Sequence, residues 1–404
     1  VTKPSPLQVA ICGAGVAGLS AANLLHASGC HVVVFDQLDE PTPLGSGLIL
    51  QPTGLAVLGK LGLHEKAERT GARINRLYGK TTATNRIVLD VHYKNLNSDA
   101  YGVAIHRAAL FNILHGAVQK LGVTLEPNRV VQSVSHSAAG KHAIHFTDGQ
   151  KADGFDLIID ALGVNSCLSP RGDKTLAYGA LWANVPFDRN NGFKPDALEQ
   201  RYRKASEMAG VLPIGSAPDG SGESAAFFWS LKHEDFETWR GAGLHVWKEK
   251  VLALWPQIET LLQHITHPDD LVMAQYAHHT LSHPIAGHIA HIGDSYHAAS
   301  PQLGQGANMA LLDAWALAKA LREYDDLDKA LGEYAASRRW HVRLYQTMSW
   351  LFTPVYQSDG FISPVLRDAV AAPLSRITPA PYLLASMVAG TLGGPIKRLG
   401  LDRP

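Results

Sequence analysis

Three glycines at positions 13, 15 and 18, followed by an aspartate at 36, are the residues of this chain best suited to cradle a dinucleotide. They form G-x-G-x-x-G between the β-compatible run LQVAIC and the Ala/Leu-rich run AGLSAANLLHAS, and Asp36 closes the next β-branched run, HVVVF. Gly13 permits a tight turn, Gly15 lets the backbone approach a pyrophosphate, and Gly18 allows close helix–strand packing. The helix N-terminus adds oriented N–H groups and the positive end of its dipole. Asp36 can accept hydrogen bonds from an adenosine ribose. Val16 and Ala17 within the turn and Gln37 beside Asp36 complete this group of expected contacts. The motif indicates a dinucleotide and does not distinguish NAD from FAD.

A second constellation lies far downstream, in HIAHIGDSYHAASPQLGQGANMALLDA. An Asp at the end of a buried strand can hold a ribityl hydroxyl, and glycines can bring backbone N–H groups to a flavin's pyrimidine edge. The helix that follows would aim its positive end at the locus where a reduced flavin gathers negative charge. With Gly293-Asp294, Pro301, Gly304-Gln305-Gly306, Ala307 and Asn308, this segment resembles the FAD-contacting stretch of the para-hydroxybenzoate hydroxylase family of flavin monooxygenases. Arg107 in AIHRAALFNIL matches that family's HR-x-x-L, whose arginine contacts the cofactor, and a guanidinium offers fixed donors to a pyrophosphate. The run GSGLILQPTGLAVLGKLGL resembles the family's loop and helix after the first βαβ unit, which implies Ser46 and Gly47 near the isoalloxazine. Val131 is counted with the cofactor-binding residues. The likeness extends to Phe352–Asp359 and is weakest in the middle of the chain.

One departure concerns the reductant. The family pattern G-A-D-G-x-x-S-x-V-R is here Asp160-Ala161-Leu162-Gly163-Val164-Asn165-Ser166, with Leu162 in place of the usual Asp and no Arg at its normal spacing. Reduction by NADH or NADPH is what the resemblance implies, and Leu162 is where this chain departs from it. The implied activity is hydroxylation of an electron-rich aromatic or heteroaromatic molecule with O2, through a flavin C4a-hydroperoxide. Alternatives are a flavin oxidase or dehydrogenase without oxygen insertion, a flavin-binding protein without catalysis, and an NAD-only dehydrogenase. The last leaves Gly293-Asp294 and Gly304 to Asn308 without a task. No catalytic residue is assigned.

These residues must be positioned by an α/β fold. The resemblance implies an FAD-binding Rossmann-like domain of the glutathione-reductase type, an inserted, mainly antiparallel substrate domain, and C-terminal helices. The first βαβ unit should have parallel, buried strands and a right-handed connection. The expected division is 1–75, 102–175 and 281–330 for the cofactor domain, 76–101 and 176–280 for the substrate domain, and 331–404 for the helical remainder. Strand-like runs LAYGALWANVPF, SAAFFWSL and DLVMAQYAHH alternate with a helical piece over 244–263. Trp182, Phe227 and Trp229 are candidate pocket walls, with hydrophobic core as the competing reading of each.

Composition excludes other classes. Thirty-six basic residues balance thirty-six acidic ones, so no long-range field attracts nucleic acid. Cys12, Cys30 and Cys167 are widely spaced and read as small hydrophobes, in keeping with a cytoplasmic protein. No secretory leader is expected from VTKPSPLQVAICG. The apolar stretch 377–396 carries Pro379, Pro381 and Pro395 and is a poor membrane span, better read as a helix docked on its own protein. Histidines 278, 279, 283, 288, 291 and 297 lack a zinc pattern, so no metal is expected, and His297 reads as packing near the flavin loop. A homodimer is compatible with the sequence.

Overall fold

The computed structural model describes residues 6–39, 46–136, 140–170, 175–360 and 362–402. Residues 1–5, on which part of the leader expectation falls, lie outside the described residues.

Strand and helix alternation in the first forty residues builds one half of a six-stranded sheet. Its order is Ile285–Ala286, Ile289–His291, Leu157–Asp160, Gln8–Cys12, His31–Phe35, Thr124–Glu126. All neighbouring strands are parallel except Ile285–Ala286 with Ile289–His291, which are antiparallel. Side chains alternate across a strand, so Val9 and Ile11 pack toward the helices Val16–Ala27, Arg107–Lys120 and Gly306–Glu323. Ala10 and Cys12 face the other way, onto a three-stranded antiparallel sheet of Val131–His136, His142–Phe146 and Lys151–Phe155. Phe35, Phe146 and Phe155 fill that second layer, with ring centroids 5.2 and 6.0 Å apart.

The middle of the chain forms a seven-stranded sheet in the order Val272–Ala274, Tyr178–Pro186, Glu223–Lys232, Glu207–Ser216, Ala197–Arg203, Arg76–Thr81, Ile87–His92. One pair, Ala197–Arg203 with Arg76–Thr81, is parallel; the others are antiparallel. An inserted, mainly antiparallel lobe is therefore present. Its outer face is covered by Phe236–Ala242, Leu244–Leu254 and Glu259–Leu262. The helix expected over 244–263 is split there, because Pro256 cannot donate to the preceding turn and opens a 3-10 turn instead.

The C-terminal region is helical, but its first helix, Leu327–Tyr356, starts before the expected boundary at 331. Asp326 caps it by accepting the Lys329 N–H at 2.8 Å. The helix Ala380–Val388 buries Ala385 and Val388 against Ile49, Leu212 and Ala226, so this segment docks on its own chain. No described helix is long and apolar enough to cross a membrane.

Candidate flavin and substrate site

The phosphate end of the site is shaped by what the glycines exclude. Gly13 has φ +107, and a Cβ there would meet the Ala161 carbonyl oxygen at 2.4 Å. A Cβ on Gly18 would meet the Gly13 carbonyl oxygen at 1.9 Å, while one on Gly15 would meet nothing within 4 Å. The open space is thus at Gly15, the N-cap of Val16–Ala27, which has no side-chain cap. The first-turn N–H groups there have no intrahelical acceptor, the setting that suits a pyrophosphate. Val16 is half-buried, Ala17 is buried, and Gln37 is exposed beside Asp36. Asp36 is fixed by the Ala14 N–H (2.6 Å) and the Leu38 N–H (2.9 Å). Val131 is buried on the neighbouring layer, its carbonyl accepting from the Cys167 thiol at 3.2 Å.

At the other end, Gly293 (φ +63) turns the chain out of Ile289–His291 and delivers Asp294. The Asp294 side chain is open to solvent yet hemmed in by protein, as on the floor of a recess. Burial, and secondarily Asp313, raise its carboxyl above the usual value, while His297 and Arg107 oppose the rise. Asp294 Oδ1 lies 3.9 Å from where a Gly306 Cβ would stand, so the carboxyl and the N-terminus of Gly306–Glu323 share one small volume. Pro301 opens a turn that Gly304 ends in the left-handed conformation. Gln305 supplies no cap, which leaves the N–H groups of Gly306, Ala307 and Asn308 without intrahelical partners. The Asn308 side chain, by contrast, is committed to protein: it accepts the Gln51 N–H (2.7 Å) and donates to Ile49 O (2.9 Å) and Gly304 O (3.0 Å). Its amide therefore clamps the loop, and cofactor contact at this position is left to its backbone N–H.

FAD fits this arrangement. Open space at Gly15, an anchored carboxylate at Asp36, an accessible Asp294 and a bare helix N-terminus lie along the C-terminal ends of the parallel strands, where ligands of such sheets bind.

Between the lobes, Ser46, Asn184 and His106 form a chain of contacts: Ser46 Oγ to Asn184 Oδ1 at 2.9 Å, and Asn184 Nδ2 to His106 Nε2 at 2.9 Å. His106 Nδ1 accepts the Ala108 N–H at 3.0 Å and burial lowers the ring's pKa, so its proton sits on Nε2. A protonated Nε2 needs an acceptor, so the Asn184 amide oxygen faces His106 and its NH2 faces Ser46, releasing the Ser46 hydroxyl hydrogen for another partner. Gly47 pairs with His106 across the adjoining strands, and a Cβ on it would meet Ile214 at 2.4 Å. Trp182 Nε1 donates to the Tyr276 hydroxyl at 2.9 Å and its ring packs on Phe228 at 4.6 Å. Tyr276 is pushed up to about 12 by burial, against the effects of Trp182 and Arg107. Exposed Arg107, at the start of its helix, lowers the pKa of both Tyr276 and Asp294 through its charge.

Two aromatic candidates require correction. Strand alternation sends Phe227 and Trp229 to the outer face, where they pack with Trp239 and Trp247, away from Trp182. Of the three, Trp182 faces the flavin domain.

Sequence reading also missed the buried support. Asp313 accepts from Gly293 N–H (2.9 Å), His297 Nε2 (2.6 Å) and Arg338 Nε (2.6 Å), with all three side chains buried. Arg338 Nη1 reaches His341 Nδ1 (3.2 Å), and His341 Nε2 donates to Gly390 O (2.9 Å). Thr53 Oγ donates to Ala389 O (3.3 Å) and Gln305 Nε2 to Val388 O (2.5 Å), so the segment 388–390 is tied to the flavin loop. Asp160 accepts from Leu162 N–H (3.1 Å), Ser166 Oγ (2.7 Å) and His291 Nδ1 (2.7 Å), ordering the turn in which Leu162 replaces the usual Asp. The available signal was charge inside apolar runs: Asp313 in MALLDAWALA, Asp160 after LII. The crowded histidines are dispersed among separate partners: His278 to Ser349, His279 to Ser169, His288 to Asp328, His291 to Asp160 and His297 to Asp313. No metal-holding cluster occurs among the described residues.

Comparison with known proteins agrees with this geometry. The FAD binding domain family matches residues 6–344. The chain is similar to the putative 2-heptyl-3-hydroxy-4(1H)-quinolone synthase of Rhodococcus erythropolis, at 30% identity over 84% of this chain and 86% of that protein. It is also similar to 3-amino-4-hydroxybenzoate 2-monooxygenase of Streptomyces cremeus, at 26% identity over 80% and 83%. Among solved structures, the tetrameric form of 2-methyl-3-hydroxypyridine-5-carboxylic acid oxygenase superposes with TM-score 0.78 at 20% identity, covering 98% of each chain. Klebsiella pneumoniae HpxO, complexed with FAD and uric acid, gives 0.76 at 21% identity, covering 96% of this chain and 98% of that one. The two separated flavin motifs, the inserted antiparallel lobe and the family match over 6–344 together show that the chain belongs to the FAD-binding family of the FAD-dependent aromatic hydroxylases.

Proposed function

We propose that this protein is an FAD-dependent monooxygenase that hydroxylates an electron-rich aromatic or heteroaromatic small molecule, with NADH or NADPH as reductant and in the cytoplasm. Bound FAD supplies the redox chemistry with O2. The observation that carries the reading is the pairing of Trp182 on the substrate sheet with Tyr276, which feels the charge of Arg107 as Asp294 does. An aromatic face and a donor meet a cation there. Tyr276 keeps its proton at neutral pH and, having accepted from Trp182, has its O–H free to donate to an oxygen or ring nitrogen of the substrate. Arg107 would favour an anionic substrate or the cofactor's pyrophosphate. Asp294 would hold the ribityl chain, and the bare N-terminus of Gly306–Glu323 would stabilise negative charge on the flavin's pyrimidine edge. The Ser46–Asn184–His106 chain holds the two lobes in register above this space. The relatives, a 3-amino-4-hydroxybenzoate 2-monooxygenase and a putative 2-heptyl-3-hydroxy-4(1H)-quinolone synthase, support an aromatic substrate. The working division is 1–75, 102–175 and 281–330 for FAD against 76–101 and 176–280 for substrate.

The test is anaerobic addition of NADH and then NADPH to the flavin-loaded protein, with and without a panel of aromatic compounds, followed by labelled O2. Flavin bleaching accelerated by one aromatic, with label in its hydroxylated product, is expected. Substrate oxidation without label would establish the oxidase alternative.

A further inference from the structure

The seven strands of the substrate sheet carry many charged residues, and these turn almost wholly to one side. Side chains alternate across a strand, and the register puts Trp182, Asn184, Leu212, Ala226 and Phe228 on one face. That face meets the flavin domain: Leu212 and Ala226 pack with Ile49, and Asn184 reaches Ser46 and His106. The opposite face holds Leu181, Val211, Phe227 and Trp229 under its helices, and the charges go with it. Arg201 lies over the Trp255 ring at 4.6 Å, Arg203 donates to Glu207 and to Ala253 O, both at 2.9 Å, and Glu223 pairs with Arg189. Arg76, Lys80 and Asp90 gather at Tyr78, which is in register with Glu199 and, through it, with Val211. Among the described residues of these strands, one charged side chain is in register with the flavin-facing side. It is Lys232, at the end of its strand, and Asp359 holds it at 2.7 Å.

The elements packed against this face add no uncommitted buried cation. Arg367, close to the Tyr202 ring, is buried and spent on Asp368, Val355 O and Lys204 O. Arg107 acts on Asp294, a group of opposite charge, and a pyrophosphate would claim the donors of its guanidinium. The polar groups left for a substrate are neutral. Tyr276 has its O–H free after accepting from Trp182, and Asn184 releases the hydroxyl hydrogen of Ser46. A carboxylate placed here loses its water and gains no counter-ion, a loss that neutral donors do not make good.

We propose that the substrate is an uncharged aromatic or heteroaromatic ring bearing a hydrogen-bond acceptor, and that the flavin-facing side of the sheet rejects rings that carry a carboxylate. This rests on the site being the one that holds an aromatic ring beside FAD. Half-buried Trp182 supplies aromatic surface, and Tyr276 donates to a carbonyl oxygen or ring nitrogen. Val272, in register with Trp182 on the edge strand, is 56% exposed and carries the apolar surface out to solvent, where an alkyl substituent of the ring can lie. Selection is by what the face lacks: a neutral ring leaves no charge unpaired, and an anionic one does.

The test uses the flavin-loaded protein without reductant and follows the visible flavin spectrum and tryptophan fluorescence as aromatic compounds are added in matched pairs. At neutral pH, where a carboxylate is ionised, para-hydroxybenzamide is set against para-hydroxybenzoate, and a quinolone against its carboxylate. The neutral member of each pair should bind at least about 30-fold more tightly, with a Kd that salt leaves unchanged. Val272→Arg, a change at an exposed position, should narrow that ratio by about 5-fold or more by favouring the carboxylate. A carboxylate bound as tightly as its neutral partner, or more tightly, overturns the proposal, and a salt-sensitive advantage for it would assign Arg107 to the substrate. A ratio that Val272→Arg leaves unmoved also overturns it, because the ring would then not meet this face. Binding is measured before any turnover, so an oxidase result with labelled O2 changes the reaction and leaves the preference for neutral rings in place. A flavin that responds to neither member of any pair overturns the reading of the site itself, and the proposal with it.

Discussion

Replacing Asp313 with Asn removes one charge from a place that water does not reach. The carboxylate is hydrogen-bonded to Gly293, His297 and Arg338, and neither it nor the Arg338 guanidinium has any exposed surface. Burial alone would raise the Asp313 carboxyl, but His297 and Arg338 hold it below the ordinary carboxylate value. An amide keeps the shape and can still accept the Gly293 N–H, so the variant isolates the loss of charge. Breaking one side of a buried ion pair costs about 3–5 kcal/mol, since the abandoned cation stays desolvated. At roughly 2 °C per kcal/mol for a chain of this size, Tm should fall by about 5–10 °C. FAD affinity should fall as well, because Asp313 anchors the residue before Asp294. The second change, Arg338→Met, removes the orphaned cation, and the double variant should recover at least about half the loss. The sign with pH follows from the depressed carboxyl: its stabilisation is present above the unfolded value of about 3.9 and fades as pH falls through it toward the folded value. Thermal and urea unfolding of single and double variants, with and without FAD, measures these effects. A single-variant loss under about 1 kcal/mol, or losses that simply add in the double variant, would refute the reasoning.

Three further outcomes follow from the geometry. His341 is lowered to about 3, first by burial and then by Arg338, so the unfolded chain takes up a proton near 6.5 that the folded one refuses. Stability should drop by up to about 1.4 kcal/mol per pH unit between those values, and His341→Gln should flatten that slope in pH-dependent unfolding. Gly15→Ala has room for its methyl group, and Gly18→Ala does not; the first should fold and bind FAD at least about tenfold more weakly, by fluorescence titration, while the second should lose soluble folded protein. Tyr276→Phe leaves Trp182 Nε1 without its acceptor, so Tm should fall by about 2–6 °C, and kcat/KM should fall roughly 5- to 10-fold, the worth of one hydrogen bond; unchanged turnover would remove Tyr276 from the site.

The cofactor half of the protein was readable because its positions are dictated by backbone sterics. Only glycine fits at 13 and 18, and both ends of the flavin site are announced by glycine spacing next to a buried strand. The substrate half was less readable. Phe227 and Trp229 differ from Phe228 in register alone, and a one-residue shift along a strand exchanges the faces of the sheet. Nothing local states which face of that sheet the flavin domain covers. Asn184, His106 and Tyr276 were silent for a related reason: each acquires meaning from a partner far away in the sequence, 78 or more positions for the pairs with Asn184 and 94 for Trp182 with Tyr276. Asp313 and Arg338 were visible only as charges out of place.

The six-stranded sheet also has a history in time. Leu157–Asp160 sits between Gln8–Cys12 and Ile289–His291, and its second neighbour is encoded more than a hundred residues after it. At the roughly 5–20 residues per second of ribosomal synthesis, that strand waits about ten seconds for its partner. The loop proposed to hold the flavin ring comes later, and the backbone of 388–390 that fastens Gln305 later again. Throughout that interval the nascent protein displays a central strand with one side unpaired, the kind of edge on which chains associate wrongly. The glycine turn for the pyrophosphate is complete long before the ring has a place to lie. Cofactor loading therefore belongs to the end of biogenesis, and expression with scarce flavin or at high synthesis rates should penalise yield before it penalises the activity of the molecules that do fold.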